Sequence, residues 1–289
     1  LVGDPGDLSN DFREGYDGSA WEFYGDPGIV LRTVGAAAAA ARHHADIDGP
    51  LVDYRSKGST VTLVGMDSVD GRAAYCLRVQ MQDGFEEDEL VDAESWLLIA
   101  SRKAAPIHAF GADVRSETRF SDFRAVGGVR YPFSIREVDL GTGKPLNEMK
   151  YSSIEINTPI DVAVFSPPAR VLSPLQQLLE QLYAERSDTA SVLWSYRDFR
   201  RAHPDVDTDR GVQFVGYQML KMGDVAGATA LLEINASEHP ASSGAAFGVG
   251  RAHAASGQVE RARAEFRRAI ELDPKNTRAA SALAALPPK

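Results

Sequence analysis

The densest set of metal-type donors in the sequence is His43-His44, followed by Asp46 and Asp48. Imidazoles and carboxylates are the ligands that zinc uses. Adjacent helical residues, however, point about 100° apart around the axis, so the two histidines cannot both reach one ion unaided. No His-x-x-x-His or His-Glu-x-x-His spacing supplies that aid, and the pair reads as a polar helix end. The run Glu86-Glu87-Asp88-Glu89 lacks the oxygen-donor loop and glycine of a calcium site. In a strand it reads as a solvated acidic edge that discourages strand-to-strand aggregation. The single cysteine, Cys76, excludes an intrachain disulfide and a cysteine-based metal cluster, and no base can be assigned to it. Neither a Gly-x-Ser-x-Gly elbow nor a Gly-x-x-x-x-Gly-Lys phosphate loop occurs. The expectation is a binding protein, not an enzyme, with no catalytic residue, no metal and no cofactor.

The composition sets further bounds. A chain of 289 residues with 44% hydrophobic and 25% charged content is an ordinary globular sequence, long enough for two domains. The longest apolar run, Val34–Ala41, falls far short of the ~20 residues of a membrane helix. The net charge of −10 is uneven. Residues 1–172 hold 27 acidic against 17 basic side chains, and residues 173–289 hold 14 of each. With no basic stripe in either part, nucleic acid and anionic membrane surfaces are disfavoured as partners. The chain starts at Leu1, which reads as a processed mature protein or a piece of a longer one.

What must position any binding residues changes near Ser166-Pro167-Pro168. Before it apolar residues alternate; after it they recur at helical spacing. The prolines remove backbone donors and oppose both strand and helix, so the boundary is expected near residue 170, giving domains 1–170 and 171–289. In the second domain a shift of 34 residues superposes Gly216 on Gly250, Gly223 on Gly257, Ala228 on Ala262, Leu232 on Phe266 and Pro240 on Pro274. Gly250 and Ala262 would let two helices approach, Gly257 would turn the chain, Phe266 would fill the gap to the next unit and Pro274 would end a helix. This spacing, with Leu272-Asp273-Pro274-Lys275-Asn276, resembles the tetratricopeptide (TPR) repeat. The units are expected at 209–242 and 243–276, after a degenerate one at 173–206 and before a capping helix at 277–286. Carried over from the family, the groove positions are Arg210, Gln213, Tyr217, Lys221, Phe247 and Arg251. They imply a protein partner. Gln213 and Tyr217 replace two residues of the chaperone-tail-binding members, so that partner is not supported. The plain alternative for each is a solvated helix face.

In the first domain, Val61/Leu63, Tyr75/Leu77/Val79/Met81 and Tyr131/Phe133/Ile135 alternate with polar residues, as in strands with one dry face. Turn signals such as Asp70-Gly71, Asp83-Gly84 and Gly127-Gly128 predict an antiparallel meander of roughly eight to ten strands. The alanine-rich segment Gly35–Ala45 predicts one helix covering the sheet.

Several words of this domain resemble a bacterial envelope group of LolA/LolB-like, outer-membrane lipoprotein-sorting type. They are Tyr16-Asp17-Gly18 with Trp21-Glu22, Gly49-Pro50-Leu51-Val52-Asp53-Tyr54-Arg55-Ser56-Lys57-Gly58, Val69-Asp70-Gly71-Arg72, Val91-Asp92-Ala93-Glu94-Ser95 and Ser121-Asp122-Phe123-Arg124, running on to Phe133. The resemblance spans about residues 12–168. It implies an α+β fold in which a strongly curved, open half-barrel sheet wraps over a helix. It also implies export to the periplasm and an apolar cavity for a lipid or lipoprotein acyl chain. The inward candidates are Trp21, Phe23, Leu63, Tyr75, Leu77, Val79, Tyr131, Phe133 and Ile135; plain core is the alternative for each. The functional expectation is a non-catalytic periplasmic protein holding an apolar ligand in the sheet and docking a partner through the repeats. Two alternatives stand beside it: a pure interaction scaffold, and the non-catalytic C-terminal part of a larger exported hydrolase or peptidase.

Overall fold

The computed structural model describes residues 12–106 and 113–287. Three short strands come first, β1 (Phe12–Tyr16), β2 (Ala20–Tyr24) and β3 (Ile29–Arg32), forming a sheet of that order. The helix α1 (Gly35–His44) follows. Seven strands then make a second sheet: β4 (Thr60–Val69), β5 (Arg72–Gln80), β6 (Glu86–Asp92), β7 (Leu98–Pro106), β8 (Asp113–Val126), β9 (Val129–Asp139) and β10 (Pro145–Lys150). Their spatial order equals their chain order and every pairing is antiparallel, so the sheet is an open meander with edges at β4 and β10. The β4–β5 turn places Asp70 and Gly71 at φ 48° and 80°, the left-handed pair that matches the twist of a two-residue hairpin.

One continuous meander was the expectation; the structure divides it. The alanine helix and the turn-rich segment 46–59 break the hydrogen-bond ladder between β3 and β4. The described residues fall into two units, one within 15–20 and 33–166, the other within 12–14, 21–32 and 167–287. The β2–β3 hairpin thus joins the helices, not the large sheet as expected for residues 1–170.

The helical unit holds α2 (Pro174–Ala184), α3 (Thr189–Ala202), α4 (Asp209–Lys221), α5 (Val225–Glu238), α6 (Ser243–Ala255), α7 (Val259–Leu272) and α8 (Thr277–Ala285). These are three helical hairpins and a final helix. Ser173 and Gln176 close α2 with a reciprocal capping box, and Pro174 occupies its first turn. Tyr24, Ile29 and Leu31 of the hairpin share one core with Leu178, Leu179 and Leu182 of α2 and Val212, Val215 and Met219 of α4. Two polar bonds fix the hairpin to α2: Val30 N–H donates to Glu180 Oε1 at 2.7 Å, and Gln176 Nε2 donates to the Pro27 carbonyl at 3.0 Å. At the other end Ala279 and Leu283 of α8 cover Phe266 and Ala269. Both apolar ends of the stack are therefore closed, the first by strands and the last by a helix.

In the sheet unit, α1 packs on β7 and buries Ala40. A small apolar core, Val69, Ala74, Leu90, Ile99 and Ala100, sits with Leu97 and Phe123.

Candidate functional site

The first helices of the two regular repeats, α4 and α6, pack side by side. Their approach to their own second helices leaves no room for a side chain. A Cβ on Gly216 would stand 2.7 Å from Leu232, and one on Gly250 would stand 2.5 Å from the Phe266 ring. Positions 210, 214, 217 and 221 share one α4 face at helical spacing, and Phe247 and Arg251 continue it on α6. Tyr217 and Phe247 meet edge-on, centroids 6.3 Å apart. The Arg251 guanidinium lies 4.8 Å over the Tyr217 ring, and that of Arg278 on α8 lies 5.5 Å over Phe247. Stacking holds a guanidinium flat and leaves its N–H edge for a planar acceptor. Among the described residues neither arginine has a carboxylate partner.

The electrostatics follow from this crowding of cations. The Tyr217 hydroxyl is shielded from solvent without a hydrogen-bond partner among the described residues. Burial pushes its pKa up to about 12, against the pull of Arg251 and Arg278. Lys221 is held below the usual lysine range by desolvation and then by Arg251, while Glu22 opposes the shift.

The structure therefore sorts the six groove residues. Tyr217, Lys221, Phe247 and Arg251 come together, Phe247 as a ring only 5% exposed. Gln213 is buried and donates to Asp209, which also accepts from Asn235. Arg210 is 88% exposed and pairs with Asp26 of the β2–β3 turn at 3.3 Å. Arg278 was missed in the sequence because α8 reads only as a cap. Its place over Phe247 depends on the stacking of repeats.

The apolar residues expected to line the sheet are also sorted. Trp21 and Phe23 lie on β2, buried in the three-stranded sheet and apart from the other seven. Directly paired residues of an antiparallel ladder share a face. One row across the large sheet runs Leu63, Leu77, Glu89, Ser101, Thr118, Glu137, and the next runs Val61, Val79, Glu87, Lys103, Ser116, Asp139. Leu63, Tyr75, Leu77 and Val79 thus form one apolar group on β4–β5, and Tyr131, Phe133 and Ile135 form another on β9. Along these two rows the strands between β5 and β9, about 19 Å across, carry polar side chains, whereas Tyr75 pairs with Val91 and Ile135 with Phe120.

That polar middle corrects the reading of residues 86–89 as a solvated edge. The strand β6 is interior, and Glu87 and Glu89 are buried. Glu89 is 1% exposed, and its Oε1 accepts from Ser101 Oγ at 2.9 Å while Oε2 has no partner among the described residues. Burial, reinforced by Glu87, raises its pKa to about 8. Across the row, His44 of α1 touches the Lys103 ammonium, and burial followed by that charge lowers its pKa to about 4. His43 bonds to Asp83 at 3.0 Å and stacks on Phe85. The two histidines dock α1; among the described residues no three His, Cys, Asp or Glu side chains converge as a metal site. Trp96, missed in the sequence, is 69% exposed and stacks on Tyr75 at 5.5 Å.

Fold and groove together define a two-part protein, an open antiparallel sheet with a covering helix and a TPR array. A tetratricopeptide-repeat family model matches residues 219–286. No curated protein sequence matches the chain. Among solved structures, an O-GlcNAc transferase mutant from Thermobaculum terrenum is 26% identical, over 38% of this chain and 21% of that one, with a TM-score of 0.29. A LolA superfamily protein from Nitrosomonas europaea is 15% identical, over 52% of this chain and 66% of that one, at a TM-score of 0.35. A DUF1329 family protein from Desulfovibrio piger is 15% identical, over 56% and 72%, at 0.33. The chain thus spans about a fifth of the transferase and just under two thirds of the LolA superfamily protein.

Proposed function

We propose that the chain is a non-catalytic binding protein that docks a protein partner on the α4–α6 face of its TPR array. The observation that carries this reading is the Tyr217–Phe247 ring pair with Arg251 stacked on it. It is a rigid aromatic floor with a polar rim. The sequence resemblance over residues 12–168 supports a periplasmic setting. No helix among the described residues is long and apolar enough to cross a membrane.

A photo-crosslinking amino acid at Lys221 or Arg251, in host cells, tests the reading. Discrete protein adducts are expected there and not from Arg267 on the outer helix α7. Equal labelling at all three positions, or none in the groove, would sink it.

A second reading has its own observation: Leu63 and Met66 are more than half exposed beside the Tyr75–Trp96 stack. An apolar patch on an open sheet fits a lipid-like ligand. Native mass spectrometry of the purified chain should then show bound lipid that Trp96→Ala removes. Protein free of lipid, or unchanged lipid in the variant, rejects it.

A further inference from the structure

Resting on the groove as the docking face, we propose that Arg251 and Arg278 select an acidic, extended peptide segment of the partner. Three observations converge on that chemistry. Two guanidiniums from different helices lie over adjoining rings with no carboxylate partner among the described residues. Stacked arginines so placed are preorganised for planar carboxylates. The Tyr217 hydroxyl, shielded and without a hydrogen-bond partner among the described residues, lies within the field of both arginines.

The third observation is the chain's own hairpin. Asp26 pairs with Arg210, Tyr24 packs on Phe214, and Glu22 acts electrostatically on Lys221, all on α4. The β2–β3 hairpin thus already sets acidic side chains and an aromatic ring against the first stretch of this face. Arg251 and Arg278, without a carboxylate partner among the described residues, lie further along, on α6 and α8. An incoming segment with acidic side chains continues the same complementarity, whereas a basic one meets repulsion from both arginines.

The test uses the full chain and two fluorescein-labelled short peptides, one of alternating Glu and Leu and the other its Gln counterpart. Fluorescence anisotropy follows binding at about 50 mM and about 300 mM salt. The acidic peptide should bind at least about tenfold more tightly than the Gln peptide and weaken with salt. Arg251→Ala and Arg278→Ala should each reduce its affinity about tenfold, Arg251→Lys less, and Arg267→Ala should leave it unchanged. Circular dichroism melts of each variant establish that the array is folded.

Equal binding of the two peptides, absent binding of the acidic one at low salt, or indifference to both arginines overturns the proposal. If groove crosslinks form in cells while the acidic peptide shows no preference, the acidic selectivity falls and the docking face stands. If no groove crosslinks form, the docking face itself falls.

Discussion

The Tyr24 ring meets the Phe214 ring edge-on, with centroids 4.9 Å apart and planes at 69°. A strand at the start of the chain thereby completes the core of a helix almost two hundred residues later. Ile29 and Leu31 enter the same core and are fully buried. Leu31→Ala should destabilise the helical unit by about 2–5 kcal/mol. Urea unfolding followed by helical circular dichroism measures this. An unchanged helical transition would show that the hairpin is merely an accessory.

Gly250→Ala forces a methyl to within 2.5 Å of the Phe266 ring. The overpacking should cost about 1–3 kcal/mol, and adding Phe266→Leu should recover part of it. Gly257→Ala meets open space but keeps a φ of 72°, and should cost about 1 kcal/mol that Phe266→Leu does not restore. Melting temperatures of the two double variants separate steric from backbone strain.

Glu89 gives the sheet unit a pH dependence whose sign is set by its raised pKa. The folded state keeps a proton that the unfolded chain loses near 4.5, so this contribution to stability falls as pH rises to about 8. His44 is shifted down from 6.5 to about 4 and acts oppositely, adding stability as pH rises through that interval. The two slopes oppose each other up to pH 6.5, and above it only Glu89 of this pair still contributes a slope. Glu89→Gln should therefore flatten the loss of stability between pH 6.5 and 8, read from thermal melts across that range. An unaltered slope refutes the assignment.

Glu117 is buried between Arg102 and Arg119, the latter at 2.6 Å. Burial raises its pKa, yet the two arginine hydrogen bonds outweigh it and hold the carboxyl below the usual range. Glu117→Gln should cost about 2 kcal/mol, whereas Glu148→Gln, on an exposed pair with Lys150, should stay within about 0.5 kcal/mol. Chemical denaturation of the two variants makes the comparison.

The repeats were legible because their constraints are local. Gly250 against Phe266, Gly257 in its turn and Pro274 after α7 all act within one helical hairpin, so their spacing appears directly in the chain. Hairpin turns such as Asp70-Gly71 were legible for the same reason. Glu87 and Glu89 were not, because alternation within a strand does not say whether that strand is an edge. Only pairing with β5 on one side and β7 on the other makes β6 interior.

The sequence by itself determined the repeat period, the strand alternation, the covering helix and the tight turns, since each depends on residues a few positions apart. The tertiary structure alone decided that Tyr24, Ile29 and Leu31 belong with the helices, that acidic side chains cross the middle of the sheet face, and that Arg278 stands over Phe247. Those relations join residues tens to hundreds of positions apart. They follow from which apolar surfaces find one another when the chain packs, and no local pattern records that choice.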